Sequence, residues 1–498
     1  MSDHNDLSTA LASGDLEAVR ALLAAGADAR YVRPHGYAAL IDVMYGRPIA
    51  GDPHLLPILR LLIDDGADLN SVSDHGESGL RVAANIGRFD AVALLLDAGA
   101  DPAQLGWTPL MRAVALGSIE DVRRRVELGD DLTPRDYWKR TAWLLSLQVG
   151  DVARSQLLLD TGADLSDRGH CGKTPLMYAS ENNREAMLDW LLGLGIDPDE
   201  MADFERTALI EAAESGATGC VRRLLEAGAD VDRGGATGKA IDSAVNLEIV
   251  RLLCRAGADL RKINDEMRAA LTRQPHDGSL ACTPAEYQQA KHRAFGDANP
   301  QPMDFPYWKA MIAGGANAYQ ARSHFEPERA DGEAVWCFQR FGRSITELPD
   351  GRIIEVGGEH EDSYDDDFCI YNDVIVHHED GTFSIHGYPK AVFPPTDFHS
   401  ATLVDRSLYL IGSLGYQGER AFGTTPVYRL DVDTLAIDPV ATKGKSPGWI
   451  GGHRARLSGG GIEVSGGKIC TRKAYEENPD AYQLDLATRA WSRIPKRP

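Results

Sequence analysis

The chain has 498 residues, of which 43% are hydrophobic, and its 74 acidic side chains outnumber 52 basic ones to give a formal net charge of −22 at pH 7. This length accommodates two or three domains with packed cores. Nucleic acids and anionic membrane surfaces bind positively charged faces, so we expect neither as a partner.

A Gly-x-Asp loop that closes a leucine-rich run recurs along the first half of the chain. The loops begin at Gly26, Gly66, Gly99, Gly129, Gly162, Gly195, Gly228 and Gly257. The spacings between successive glycines are 40, 33, 30, 33, 33, 33 and 29 residues. A period near 33 predicts a solenoid, in which each unit buries its apolar face against its neighbours.

Each unit contains two short helical patterns. In the fourth unit, Thr108-Pro109-Leu110-Met111 predicts the start of the first helix, and Ile119 to Leu128 predicts the second. Gly129 then supplies the left-handed turn that ends it. A Thr-Pro-Leu opening with a Gly-Ala-Asp close resembles the ankyrin repeat. The resemblance implies an ankyrin α-solenoid of about eight repeats over residues 1–270.

In ankyrin proteins the tips that join successive repeats, and the inner helices beside them, commonly contact a protein partner. The resemblance therefore implies binding through the concave face and the tips. Aromatic, arginine and other polar side chains at the tips are the candidates, because such residue types anchor interfaces. They are Tyr31, Arg33, His35, Asp74, His75, Arg135, Tyr137, Trp138, Arg168, His170 and Phe204. Trp138 and Phe204 can alternatively pack under the next helix.

Residues 271–335 contain six prolines, which argue against one long helix. We expect an ordered adaptor here because the segment carries aromatic residues and few serines. Tyr307 to Asn317 is similar to the second helix of a degenerate ninth repeat.

After residue 335 the helical period gives way to short alternating segments that predict strands. Three copies of a pattern follow one another over residues 336–498. Each copy has an opening residue, a double glycine or Gly-Ser, a tyrosine and a large apolar residue. The copies are Arg343, Gly357-Gly358, Tyr371 and Phe383, then His399, Gly412-Ser413, Tyr428 and Ile437, then His453, Gly466-Gly467, Tyr482 and Trp491. This pattern resembles the kelch repeat, which implies an all-β, kelch-like partial β-propeller of three blades. The fold class is thus multidomain, with α followed by β.

Three blades are fewer than the four to eight that close a propeller. Two chains can pool their blades into a six-bladed ring, which makes a homodimer. Alternatively the sheets stay open with the exposed edge covered by the rest of the chain, and we favour this arrangement because edge strands are normally covered.

Two clusters suggest metal chemistry. The acidic segment 359–367 has six carboxylates that can bind calcium, although we favour a solvated loop. His360, His399 and His453 are weak candidates for a metal site, since two of them occupy equivalent repeat positions. We see no catalytic constellation, so we expect no enzyme and no cofactor.

Seven scattered cysteines and a polar start without a leader pattern favour a reduced, cytoplasmic location. The function that these features predict is a bacterial, cytoplasmic adaptor or inhibitor of a basic protein, such as an immunity protein that inhibits a toxin. A metal- or small-ligand-dependent sensor or enzyme that uses the kelch-like rim, and a structural homo-oligomer, are the alternatives.

Overall fold

The computed structural model describes residues 2–46, 49, 51–235, 238–327, 333–361 and 368–495. These residues form two compact units, Met1–Ala258 and Asp259–Pro498. No helix in the described part of the chain is both long and apolar enough to cross a membrane.

The first unit consists of helix pairs joined by Gly-x-Asp loops. Its helices are α1 (Ser2–Ser13), α2 (Leu16–Ala24), α3 (Ala39–Asp42), α4 (Leu55–Asp64), α5 (Gly79–Asn85), α6 (Phe89–Asp97), α7 (Pro109–Leu116), α8 (Ile119–Glu127), α9 (Ala142–Val149), α10 (Val152–Asp160), α11 (Pro175–Ser180), α12 (Glu185–Gly193), α13 (Ala208–Glu214), α14 (Thr218–Glu226) and α15 (Leu247–Arg255). A short hairpin joins β1 (Val32–Arg33) to β2 (Tyr37–Ala38).

Local chemistry sets the ends of these helices as the sequence predicts. Thr108 caps α7 by accepting a hydrogen bond from the Met111 amide at 3.2 Å, and Pro109 fills the first turn. All eight loop glycines have positive φ, which non-glycine residues disfavour. The aspartate of every loop accepts a hydrogen bond from the amide two residues later. The repeat is therefore visible in the backbone as well as in the sequence.

Helices open the second unit and strands complete it. The helices are α16 (Asp265–Thr272), α17 (Pro284–Ala290), α18 (Pro306–Gly314) and α19 (Ala318–Phe325). The strands are β3 (Gln301–Pro302), β4 (Ser344–Glu347), β5 (Ile353–Val356), β6 (Glu359–His360), β7 (Cys369–Ile370), β8 (Val374–His377), β9 (Phe383–Gly387), β10 (Ser400–Val404), β11 (Ser407–Ile411), β12 (Val427–Asp431), β13 (Ile437–Pro439), β14 (Lys443–Gly444), β15 (Trp449–Gly451), β16 (Arg454–Ser458), β17 (Gly461–Ser465), β18 (Lys468–Cys470), β19 (Tyr475–Glu477), β20 (Ala481–Asp485) and β21 (Ala490–Ile494).

Three antiparallel meanders of four strands form the main sheets. The first sheet has the order β3-β9-β8-β5-β4, the second β10-β11-β12-β13, and the third β14-β21-β20-β17-β16. Their first strands, β4, β10 and β16, lie side by side. Two smaller sheets, β15-β18-β19 and β6-β7, flank them. Within the described residues, no fourth meander closes a ring.

The strand register corrects one position of the predicted repeat. Tyr428 pairs with Leu410 in the second sheet, and Tyr482 pairs with Val464 in the third. In the first sheet the position equivalent to these tyrosines lies opposite Glu355 and is occupied by Ile375. Tyr371 lies before β8, where its hydroxyl accepts a hydrogen bond from the Cys337 amide at 3.2 Å. The insertion between the double glycine and β8 displaces the tyrosine from the strand.

Close packing between neighbouring sheets explains the glycines that follow the second strands. A Cβ on Gly357 would lie 2.2 Å from the Thr396 carbonyl oxygen, and one on Gly412 would lie 2.4 Å from the Ile450 oxygen. The equivalent Gly466 has no described heavy atom within 4 Å of that position. The first two glycines therefore abut the backbone of the following repeat, and the third faces open space.

Aromatic packing joins the helices of the second unit to its first sheet. The Trp308 and Trp336 rings stack with centroids 4.5 Å apart and an angle of 5° between planes. The Arg340 guanidinium lies 3.6 Å from the Tyr371 ring centroid and forms a buried ion pair with Asp373. This cluster covers the outer face of the first sheet.

Candidate functional site

The tips between repeats carry the side chains that the sequence analysis singled out. Where glycine is absent, other residues adopt its left-handed conformation, such as Lys139 with φ 62° and Glu205 with φ 58°. The tips thus keep one shape while their side chains differ. We call the exposed members of the predicted set other than the arginines the tip row. They are His35, Asp74, His75, Tyr137, His170 and Phe204.

Neighbouring members of the tip row lie close together at the second and third repeats. The His35 and His75 rings have centroids 6.0 Å apart, and His35 Nδ1 lies 3.7 Å from an Asp74 carboxylate oxygen. Farther along, Phe204 is 68% exposed. An exposed phenylalanine is one of the aromatic residue types that are enriched at protein interfaces.

Two predicted contact residues make hydrogen bonds within the fold. Tyr31 is only 5% exposed, and its hydroxyl donates a hydrogen bond to Asp42 at 2.6 Å. Trp138 is half-buried, and its indole N–H donates to the Arg81 carbonyl oxygen at 2.9 Å. Tyr31 is therefore not accessible to a partner, which corrects its prediction, whereas Trp138 makes a contact within the fold and remains partly exposed.

The predicted arginines join one tip to the next or anchor their own tip. Arg33 forms a two-point ion pair with the buried Asp42. Arg135 donates to the Arg168 carbonyl oxygen at 2.9 Å, and Arg168 donates to the Met201 oxygen at 2.8 Å. Each arginine remains roughly two-fifths exposed, so it stiffens the row while leaving charge at the surface.

A polar connection between the fifth and third repeats escaped the sequence analysis. Arg140, which is 1% exposed, pairs with Asp136 and donates to the Ala84 carbonyl oxygen at 2.7 Å. Gln148 donates to the Asn85 oxygen at 2.5 Å. Together with the Trp138 bond to Arg81, these contacts reach across the whole fourth repeat. We call this connection the 5–3 bridge.

The short fourth repeat accounts for the 5–3 bridge. Its tip is a single 3₁₀ turn, Pro102–Leu105, in place of a longer hairpin. Tyr137 of the following tip then reaches the third repeat, where a Cβ on Gly76 would lie 2.4 Å from the tyrosine hydroxyl. The spacing of 30 residues between Gly99 and Gly129 is the sequence signal for this shortening.

The inner helices of the middle repeats offer little surface. Every side chain from Ala142 to Gln148 in α9, and from Pro175 to Ser180 in α11, is buried. A partner cannot use these side chains without unfolding them. Helices α9 and α11 therefore offer few side chains to a partner, in contrast to the exposed tip row.

The Gly-x-Asp loops line another edge of each repeat with carboxylates. Their aspartates are Asp28, Asp68, Asp101, Asp131, Asp164, Asp197 and Asp230 in the first unit. Hydrogen bonds from Thr133 and Ser166 lower the pKa of Asp131 and Asp164 respectively, so both are ionised at neutral pH. The solenoid thus has one periodic row of negative charge.

Two of the proposed metal-binding histidines are structural links between sheets. Ser344 Oγ lies 2.8 Å from His399 Nε2, and Ser400 Oγ lies 2.8 Å from His453 Nε2. Burial, then Arg261 and His453, lower the pKa of His399 to about 3, and burial and Arg261 lower the pKa of His453 to about 3. His360 instead faces Glu361, with Nε2 and Oε1 3.3 Å apart.

No group of three or more histidine, cysteine, aspartate or glutamate side chains within the described ranges has the arrangement of a metal site. Residues 362–367, most of the acidic segment proposed to bind calcium, lie outside those ranges.

Comparisons with known proteins concern the first unit. Residues 49–136, 125–202 and 194–264 match a family described as ankyrin repeats (3 copies). The human ASB11 ankyrin repeat domain is 22% identical and covers 51% of this chain and 97% of its own, with a TM-score of 0.23. The ankyrin repeat domain of Bcl-3, a member of the IkappaB protein family, is 23% identical and covers 50% and 97%, also with a TM-score of 0.23. No curated protein matches the chain.

Proposed function

We propose that this chain, whose N-terminal half consists of ankyrin repeats, is an adaptor or inhibitor that binds a protein through its tip row. The observation that carries the proposal is the contrast between the two sides of the repeats. The inner helices α9 and α11 are buried, whereas Phe204, His170 and their neighbours are exposed on tips held by backbone and arginine contacts. Such a surface needs little ordering when a partner binds.

The charge distribution favours a basic partner. The carboxylates of the Gly-x-Asp loops recur in every repeat, and the chain carries a net charge of −22. A negative surface speeds encounter with a positive protein and discriminates against acidic ones. An inhibitor of a basic toxin, that is, an immunity protein acting in the bacterial cytoplasm, is the narrowest form of this proposal.

The second unit is best interpreted as three kelch-like blades that add a second contact surface. Three four-strand meanders, each with a glycine at the end of its second strand, support this interpretation. An open series of blades fits better than a ring shared by two chains. Helices already cover the first sheet, and the far face of the third sheet carries Arg456, Glu463, Gln483 and Ser492 in one row.

The ends of the series also differ from its middle. The Ser–His links between sheets stop at the third sheet, where Arg454 occupies the position of Ser344 and Ser400. A polar outer face is typical of the terminal unit of a repeat array. The metal-dependent alternative has no comparable support, since His399 and His453 each use Nε2 within the fold.

A capture experiment with matched variants tests the proposal. The full chain is immobilised at low salt, exposed to lysate of the native host, and compared with Phe204→Ala and with Tyr319→Ala, a control at a side chain that is 79% exposed in the second unit. We expect one basic protein in equimolar amount, bound about 30-fold more weakly by Phe204→Ala and unchanged by the control. Raising the salt should release it.

Two results would contradict the proposal. One is a partner whose affinity is indifferent both to salt and to substitutions throughout the tip row. The other is a partner of acidic character.

A further inference from the structure

The small sheet beside the third meander ends in a strand that has a neighbour on one side only. β19 lies at the edge of the order β15-β18-β19, and its three residues, Tyr475, Glu476 and Glu477, are all exposed. The Tyr475 side chain is 50% exposed although it carries a large aromatic ring. The outer edge of such a strand presents backbone N–H and C=O groups with which a strand of another chain can pair.

The register identifies the backbone groups of β19 that face outward. Asn478, which follows β19, donates its amide proton to the Gly467 carbonyl oxygen at 2.9 Å. Hydrogen-bonded and non-hydrogen-bonded pairs alternate along an antiparallel ladder, so Glu476 bonds to β18 whereas Tyr475 and Glu477 direct their N–H and C=O groups away from it. These two donors and two acceptors have no hydrogen-bond partner among the residues that the structure describes.

The equivalent edge of the first repeat, on β7, is covered. Ile370 precedes the residue whose amide bonds to the double glycine, as Glu477 does, so the two positions correspond. The Ile370 amide donates to the Tyr416 hydroxyl at 2.9 Å, and the Ile370 carbonyl oxygen accepts from the Arg293 guanidinium. The two outward backbone groups that are satisfied within the first repeat are therefore open in the third.

Aromatic side chains lie beside the open edge. The Arg420 guanidinium lies 5.3 Å from the centroid of the Tyr475 ring, and Arg420 is itself fixed by donation to the Leu414 carbonyl oxygen at 2.8 Å. Phe422, two residues beyond Arg420, is 39% exposed. Tyr475 and Glu477 project to the same face of the strand because side chains alternate. A paired strand would meet one aromatic and one acidic side chain on that face.

Charge indicates the chemistry of the occupant. Lys468 on β18 lies 3.9 Å from the Glu477 carboxylate, which nevertheless remains 81% exposed. If two copies of β19 paired through Tyr475 and Glu477, their Glu476 side chains would lie opposite one another, which like charges disfavour. A basic side chain opposite Glu477 and an apolar side chain opposite Tyr475 are instead complementary to the strand.

We propose that β19 pairs with an extended segment of a protein partner that has a basic residue opposite Glu477 and, two positions later, an apolar residue opposite Tyr475. The segment runs antiparallel to β19, and its backbone takes the role that Tyr416 and Arg293 have in the first repeat. Backbone pairing supplies affinity, and the two side chains supply specificity. This inference rests on the proposed role of the second unit as a second contact surface and names the place of that contact.

A synthetic peptide tests the pairing without the native partner. A fluorescent peptide of sequence Thr-Arg-Thr-Val-Thr is added to the full chain, and binding is followed by anisotropy and by hydrogen exchange. We expect saturable binding with a Kd below about 1 mM, and slower exchange in the segment that contains Tyr475 and Glu477. N-methylation of the arginine removes a donor that faces β19 and should weaken binding about tenfold or more. N-methylation of the central threonine alters only the far edge of the peptide and should leave the affinity unchanged.

Charge exchange supplies matched protein variants. Glu477→Lys should weaken binding of the arginine peptide about tenfold or more and should bind a peptide with glutamate in place of the arginine. Glu333→Lys, at a carboxylate that is 83% exposed elsewhere in the second unit, should bind the arginine peptide as the wild type does.

Four results would overturn the proposal. They are equal affinities for the two N-methylated peptides, unaltered exchange at Tyr475 and Glu477, an affinity indifferent to Glu477→Lys, and a protein that is already dimeric with this segment protected before peptide is added. None of them bears on capture through the tip row, which Phe204→Ala tests separately.

Discussion

Alanine at Gly412 or at Gly466 perturbs equivalent positions of neighbouring sheets and measures whether the series of blades is open. Both glycines have positive φ, 77° and 63°, so alanine costs about 1–2 kcal/mol of backbone strain at either site. Only Gly412 abuts a further sheet, where the new Cβ would lie 2.4 Å from the Ile450 oxygen and 2.6 Å from a His453 ring carbon. Because backbone must shift to relieve this overlap, Gly412→Ala loses about 1–3 kcal/mol more.

Hydrogen exchange localises the two effects within the full chain. We expect Gly412→Ala to raise local opening of β10 and β11 by about 30-fold relative to Gly466→Ala, which corresponds to a difference of about 2 kcal/mol. Light scattering accompanies the measurement to give the mass of each variant. If chains closed a ring together, Gly466 would meet a neighbouring blade as Gly412 does. Equal losses in the two variants, together with a dimeric mass, would refute the open arrangement.

Three further predictions concern the tips, the 5–3 bridge and the buried histidines. Arg140→Ala leaves the buried Asp136 without its ion-pair partner and should lower the free energy of unfolding, measured in urea, by about 3–5 kcal/mol. Arg135→Ala, at an exposed arginine, should lower it by less than about 1 kcal/mol. Similar losses in the two variants would argue against the 5–3 bridge. Glu205→Gly should stabilise the chain by about 1 kcal/mol by relieving its positive φ, and Glu205→Ala should not. His399 and His453 have folded pKa values of about 3 against about 6.5 unfolded, so their stabilisation is complete above pH 6.5 and is lost as the pH falls toward 3. Each histidine should lower the free energy of unfolding by about 2 kcal/mol at pH 5 relative to pH 7.5. Denaturant midpoints that do not fall over this pH range would contradict the burial of the two histidines as neutral rings.

Local rules made much of the first unit predictable. The glycine and aspartate of each Gly-x-Asp loop specify a backbone turn that does not depend on distant contacts, and Thr108 and Pro109 specify a helix start. The three strand repeats were predictable for the same reason, because alternation and paired glycines are short-range signals. The family match over residues 49–264 confirms the ankyrin repeats.

Long-range packing set the limits of prediction. The spacing of 30 residues shows that the fourth repeat is short, but it does not show that Arg140 and Gln148 reach the third repeat. Tyr31 and Phe204 are both aromatic residues at tips, so the sequence does not distinguish them. In the structure Tyr31 is buried and donates a hydrogen bond to the buried Asp42. The sequence pattern aligns Tyr371 with Tyr428 and Tyr482, and only the strand register shows that Ile375 occupies that position.

The 5–3 bridge has a mechanical consequence. A regular solenoid behaves as a spring whose compliance is shared equally among its joints, since each repeat contacts only the next. Here three consecutive repeats are tied by bonds from Arg140 and Gln148 to the end of α5. A pull on the two ends of the solenoid would therefore stretch the flanking joints first and leave repeats three to five moving as one stiff segment. Tip residues on that segment, such as His75 and Tyr137, would keep their mutual distances while those of the flanking repeats adjust.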